Sequence, residues 1–363
     1  MATPVYATRM IANGTDAEVA VAAALAGAGV ARAMFGSALP RFDKSGGDFA
    51  TAADLEAERA VTEVIRATRP ADAMTGEESG AVGADGAERR WLVDPLCGTL
   101  NYAAHTTLAA VNVALRAGLG IVAAATADPF SGEVFWTDGD RAWLRVPAAE
   151  TAPGADKKLA PSPETQLVDV NLDPPFPNAP RFRAVSLLAD EAFAARFRPR
   201  AVSTTLALAW VAAGRRAAYV TDGHVIDSVH FAAGIALCQA AGCTVTGIDG
   251  QPLHIGAGGL IAAADRQTHA ALLEMIADQA ARQYHLEPSG TPGVAEPASQ
   301  PAPSSYSSST SGPRRPGRPR STRCPAASCT YPRWRYPTGK EASLDRSSMS
   351  EADGSTTSRR SFS

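Results

Sequence analysis

Asp94-Pro95-Leu96-Cys97-Gly98-Thr99-Leu100-Asn101-Tyr102 follows directly on the apolar run Trp91-Leu92-Val93. That order ends a buried strand on a carboxylate and leads into a small-residue turn at a helix start. A carboxylate is a hard oxygen ligand for a divalent cation, and backbone N–H groups at a helix start attract phosphate oxygens. Together they are the parts of a metal-assisted phosphatase. Three further segments carry carboxylates or small-residue turns: Lys44 to Asp54 with Asp48 inside it, Gly76-Glu77-Glu78-Ser79, and His230-Phe231-Ala232-Ala233-Gly234 followed by Ala240-Ala241-Gly242. Taken singly, Asp48, Asp54, Glu77 and Glu78 read as solvated or helix-capping carboxylates. Their company with the Asp94 segment reverses that reading.

The four segments, in this order, resemble the inositol monophosphatase family over about residues 15 to 285. The Asp94 segment is similar to that family's Asp-Pro-(Ile/Leu)-Asp-Gly-Thr-x-Asn-(Phe/Tyr), and Gly76-Glu77-Glu78-Ser79 to its Gly-Glu-Glu-Ser. The resemblance implies an α/β fold, the layered αβαβα sandwich of the inositol monophosphatase/fructose-1,6-bisphosphatase type. It also implies a metal-dependent, lithium-sensitive type of phosphomonoesterase acting on a small-molecule phosphate ester, usually as a homodimer. On this reading Glu77 and Asp94, with the Leu96 carbonyl, hold one Mg²⁺. Asp48 and Thr99 orient and deprotonate the attacking water. The N–H groups of Gly98 and Thr99 bind phosphate oxygens.

Two residues depart from the family pattern, and both fall on one metal. The second metal belongs to three aspartates in the family; here those places read Asp94, Cys97 and His230. In one account Cys97 and His230 retune the site toward Zn²⁺ or Fe²⁺, as softer ligands would, with Mn²⁺ a further candidate there. In the other the second metal is lost, Cys97 is a small neutral filler, and His230 is a substrate contact or a general acid. Loss is the favoured account, because a dedicated Zn²⁺ site normally shows more than three protein ligands. Asp227 is a further carboxylate near the vacated place. The same positions touch substrate in the family, so Cys97 and His230 also leave the substrate open. A sugar or polyol phosphate, or a nucleotide, fits equally. The alternatives are a 3′-phosphonucleotide phosphatase and a catalytically retired homologue that binds phosphate or metal.

These residues need a scaffold, and its elements are partly legible. Asp16 to Phe35 reads as a long Ala-rich helix. Asp54 to Thr68 reads as another, with Leu55, Ala57, Val61, Val64 and Ile65 inside and Glu56, Glu58, Arg59 and Glu63 outside; Pro70 closes it. From Leu108 to Val146 short apolar runs alternate with turn residues, which predicts strands. Residues 150 to 180 read as a surface loop around one strand at Gln166 to Val170. A second α/β half follows, with helices at Thr204 to Ala213 and Phe231 to Ala241 and strands at Ala217 to Thr221, Thr244 to Gly247 and Leu260 to Ala264. Arg266 to Gln283 is the last helix.

The predicted domain spans 1 to 287. Residues 288 to 363 are rich in Ser, Pro and Arg and poor in aliphatic residues, so they are expected to be disordered. Lys and Arg number 34 against 37 acidic residues, a net charge of −3 that gives no whole-chain case for nucleic acid. Five cysteines form no disulfide framework. With no basic-then-apolar leader and no membrane-spanning run in the sequence, the expectation is a cytoplasmic protein.

Overall fold

The computed structural model describes residues 13–44, 49–147, 156–172, 184–255 and 258–286. Helix α1 (Asp16–Met34) and helix α2 (Ala52–Thr68) both open on a threonine capping box, Thr15 with Glu18 and Thr51 with Asp54. Between them lies a short antiparallel pair, β1 (Arg41–Asp43) and β2 (Phe49–Thr51). Next come β3 (Ala73–Gly76), β4 (Gly80–Val82), β5 (Arg89–Cys97) and the five-residue helix α3 (Thr99–Ala103). Then β6 (Ala110–Ala117), β7 (Gly120–Ala127), β8 (Val134–Thr137), β9 (Ala142–Arg145) and β10 (Asp156–Lys158) form a meander. These strands make one eight-stranded sheet, ordered β10-β9-β8-β7-β6-β5-β3-β4.

The second half holds β11 (Leu167–Val170), α4 (Glu191–Arg196), β12 (Arg198–Ala201), α5 (Leu206–Ala212), β13 (Ala218–Thr221), α6 (Ala232–Ala241), β14 (Thr244–Thr246), β15 (Leu260–Ala263) and α7 (Arg266–Leu286). Its five strands are ordered β12-β11-β13-β15-β14.

Side-chain alternation along the strands sets the layers. Val93, Val111, Val113 and Leu115 of the large sheet pack on α1 and α2 with Val19, Ala23, Val61 and Ile65. Leu92, Ala114 and Ala124 face the other way, onto Ala233 and Ala236 of α6. Tyr219, Leu260 and Ala262 of the small sheet join α5 and α6 in the middle layer. Val168, Val220, Ile261 and Ala263 face Leu272 and Ile276 of α7. The result is the αβαβα sandwich that the resemblance implied. Helix α1 is long and apolar enough to cross a membrane, but half of it is buried, with Ala17 to Ala28 in the core under the large sheet.

The structure corrects several sequence-based expectations. β5 does not end at Asp94; it continues through Cys97 with an irregularity between Asp94 and Cys97. On α2, Leu55 is 41% exposed while Glu58 is buried, the reverse of the expected faces. The expected loop over 150 to 180 holds the strand expected near Gln166 to Val170 as β11, together with a second strand, β10, that was not expected; β3, β4, β12 and α4 were not anticipated either. Asp48 and the 288–363 segment lie outside the described residues.

Candidate active site

Strand register brings the acidic residues together. β3 runs parallel to β5 with Gly76 opposite Val93, so Glu77 and Asp94, the next residues, emerge side by side. The Glu77 N–H donates to the Val93 carbonyl at 3.0 Å, which fixes where the turn leaves the strand. Glu58 anchors that turn. Its two carboxylate oxygens accept from the N–H groups of Glu78 and Ser79, each at 2.8 Å. A Cβ on Gly76 would sit 2.5 Å from the Glu58 carboxylate, so this position takes no side chain.

Asp94 is fully buried, and its Oδ2 lies 2.8 Å from His230 Nδ1. Glu77 Oε2 lies 3.9 Å from the same nitrogen. One ligand atom from each of Glu77, Asp94 and His230 falls within 4.8 Å of the others. Lys44 closes the acidic side, with Nζ 2.8 Å from Glu77 Oε1 and 2.7 Å from Glu78 Oε1.

The electrostatics follow from this crowding. Burial, with the neighbouring Asp94 charge, pushes the Glu77 carboxyl up to about 8. Burial works against the His230 imidazolium, but Asp94 and Glu77 outweigh it and raise the ring to about 9. The His230 side chain is 41% exposed, so solvent attenuates that shift. Burial opposes ionisation of Asp94 as well, yet His230 holds it below the ordinary carboxylate range. Lys44 and His230 are therefore the cations that balance two buried carboxylates. A divalent metal would do the same work. Two carboxylates and a nearby main-chain carbonyl at Leu96 suit a hard divalent cation such as Mg²⁺.

Beyond Asp94 the strand opens into the Leu96-Cys97-Gly98 turn. Gly98 has φ +99°, and a Cβ there would meet the Leu108 carbonyl at 2.6 Å. Thr99 then starts α3, and its Oγ1 lies 2.8 Å from Asp54 Oδ1 and 3.1 Å from the Leu96 carbonyl. Asp54 also caps α2 through the N–H and hydroxyl of Thr51. The carboxylate described beside Thr99 is thus Asp54, the partner that the sequence reading gave to Asp48.

The two departing residues take different places. His230 joins the acidic cluster. Cys97 lies outside that group of ligand atoms but beside it: its side chain hydrogen-bonds Asp94, and its Sγ accepts from the Thr205 hydroxyl at 3.0 Å and the Thr205 N–H at 3.3 Å. Burial and the Asp94 charge push its thiol well above the usual value, which keeps it neutral. Asp227 does not fill the vacated carboxylate place. It has φ +53°, is 69% exposed at its side chain, and pairs with Arg116. Asp222 is buried and accepts from the Ala184 N–H at 3.2 Å.

Sequence reasoning gave no role to Lys44, Glu58, Asn112 or Thr205. The visible signal was a polar residue within a fully apolar strand, Asn112 in Ala109 to Leu115. Glu58 left no such signal, since a helix periodicity places it by one rotation step.

Comparison with known proteins places these observations in a wider set. A family model described as the inositol monophosphatase family matches residues 13–281. The inositol-1-monophosphatase of Caulobacter vibrioides is 33% identical over 241 residues, covering 64% of this chain and 89% of that protein. The Nus factor SuhB of Pasteurella multocida is 30% identical over 229 residues, covering 61% and 80%. Among solved structures, the extragenic suppressor protein SuhB from Bartonella henselae superposes with a TM-score of 0.59 at 23% identity, over 71% of this chain and 96% of that one.

Proposed function

The chain belongs to the inositol monophosphatase family, and from that membership we propose that it hydrolyses a small phosphorylated metabolite at a site whose second metal position is altered. It is a phosphoric monoester hydrolase, from a family whose enzymes use Mg²⁺. The observation that carries the finer reading is the Glu77–Asp94–His230 cluster, with Thr99 tied to Asp54 beside it. Glu77, Asp94 and the Leu96 carbonyl are the residues for Mg²⁺, which supplies Lewis-acid stabilisation of the phosphoryl oxygens.

The chain's own groups handle the protons. Thr99 donates to Asp54 and so presents its oxygen lone pairs to the attacking water. Asp48 and Thr99 orient and deprotonate that water as its oxygen bonds to phosphorus. The ester P–O bond breaks on the opposite side. His230 has Nδ1 engaged by Asp94, which leaves Nε2 to give a proton to the leaving oxygen. This general acid does part of what a second metal does elsewhere in the family. The N–H groups of Gly98 and Thr99 bind phosphate oxygens. The substrate is a sugar, polyol or nucleotide phosphate.

A second reading, action by binding phosphate or metal without turnover, is favoured by the same two replacements, Cys97 and His230. One experiment separates the two. Metal-free protein is assayed for phosphate release on sugar phosphates and nucleotides, 3′-phosphonucleotides included, with Mg²⁺, Mn²⁺ and Zn²⁺ in parallel. The variant Cys97→Asp/His230→Asp is run beside it. Turnover by the natural chain is expected. No turnover, with activity appearing in the double variant, would favour the binding reading.

A further inference from the structure

Asp94, Asn112 and Thr126 form one row across three neighbouring strands, because β5 pairs Asp94 with Asn112 and β6 pairs Asn112 with Thr126. The row lies on the face that carries Leu92, Ala114 and Ala124 one step away, toward the middle helical layer. All three side chains are fully buried. A buried polar group is retained where its hydrogen bonds are made, and each of these makes one with a defined direction. Thr126 Oγ1 donates to Asn112 Oδ1 at 2.8 Å. Asn112 Nδ2 in turn donates to Thr205 Oγ1 at 2.8 Å. With one lone pair of its oxygen taken, Thr205 aims its proton at Cys97 Sγ, 3.0 Å away. The Thr205 N–H points at the same sulfur from the entry to α5. Two donors therefore hold the Cys97 sulfur at the α5 entry, outside the Glu77–Asp94–His230 group of ligand atoms.

We propose that Thr205, aligned by Asn112 and Thr126, is a positioning residue that seats the Cys97 sulfur in the wall of the site and leaves the Glu77 and Asp94 carboxylates as the side-chain donors facing a cation. The inference rests on the reading of this cluster as a metal site, and it decides between the two accounts of the altered position. Cys97 is a wall residue, and the site takes a single cation. Thiolate ligation at Cys97 would require the sulfur to leave the place where the Thr205 hydroxyl and N–H hold it. Asn112 and Thr126, which align the Thr205 hydroxyl from behind, oppose that move.

The test uses the full-length, metal-free chain. Mn²⁺ uptake is measured by the electron paramagnetic resonance of the free ion. Cd²⁺ is then added, and the thiolate-to-Cd²⁺ charge-transfer band is read against Cys97→Ser as a blank for the other cysteines. The natural chain is expected to take up one Mn²⁺ and to show no Cys97-dependent band. Thr205→Val, similar in shape but lacking the hydroxyl, is expected to gain that band, and Thr205→Ser to behave as the natural chain does. A Cys97-dependent band in the natural chain, uptake of two Mn²⁺, or a Thr205→Val spectrum matching the natural one would overturn the proposal. If Thr205→Val does not fold, the two measurements on the natural chain still decide it. A natural chain that takes up no Mn²⁺ would instead overturn the metal-site reading, and the proposal with it.

Discussion

Replacing a carboxylate by an imidazole at position 230 changes the site's charge and its proton inventory at once. His230 supplies a cation 2.8 Å from Asp94, so the pair Asp94–His230 is close to neutral without a metal. The same ring can deliver a proton, which an ionised aspartate cannot. His230→Ala is accordingly expected to lower phosphate release by ~10²–10⁴-fold, the range of general-acid catalysis. Loss of only a few-fold would remove His230 from the reaction and leave it as a counterion to Asp94. The residues proposed for this chemistry were legible in the sequence because they are short, contiguous and of unusual type. Their partners were not. Asp54 stood in the motif as plainly as Asp48, and only packing puts its carboxylate against Thr99.

At the scale of elements, the helices and the β6–β9 meander were readable from periodicity, whereas β3 and the Glu58 anchor came from tertiary pairing. Four residues, Ala73 to Gly76, are too few to show a period, and their strand exists because β5 lies alongside. Glu58 was assigned to solvent from its charge, yet both its oxygens are spent on the Glu78 and Ser79 N–H groups. In Glu58→Gln an amide NH₂ would face one of those donors. The turn would lose one hydrogen bond, at a cost of about 1–3 kcal/mol. Glu77 would lose its fixed position, so the Mn²⁺ concentration for half-maximal activity is expected to rise ~10–100-fold, as for other residues that orient metal ligands. Thermal melting and a metal titration of the same variant would show both effects. Helix α7 is tied to β14 in a different way. His269 is buried with Nε2 2.8 Å from Thr246 Oγ1, and burial lowers its pKa below the ordinary value. A lowered folded-state pKa gives stability that is present above the unfolded value near ~6.5 and is lost as pH falls through the folded value. The natural chain should therefore lose melting temperature as the pH drops below ~6.5, and His269→Gln should flatten that decline. Parallel slopes for the two proteins between about pH 7.5 and about pH 5 would refute the assignment.

Across the whole molecule, the site draws on both sheets' neighbourhoods. β3 and β5 supply Glu77 and Asp94, the α5 entry supplies Thr205, and His230 stands two residues before α6. Neither half of the chain holds the constellation alone. That makes the intact five-layer body the unit of function and gives the segment beyond it a sharp test. The family match ends at residue 281, and α7, whose Leu272 and Ile276 close the last core, ends at Leu286. Residues 288 to 363 follow with a composition of Ser, Pro, Arg and Gly and few aliphatic side chains. Such a composition is expected to bury too little apolar area to offset the entropy of ordering. A chain ending at Glu287 should keep its phosphatase activity. Its melting temperature should lie within ~2 °C of the full-length value, as expected when well under 1 kcal/mol is removed from a domain of this size. A larger fall, or a loss of turnover with the fold intact, would mean that the last segment packs against the body or reaches the site. Limited proteolysis of the full-length chain reads the same question independently. Early cleavage through the run from Arg314 to Arg323, leaving a stable fragment that ends near residue 287, is the expected pattern.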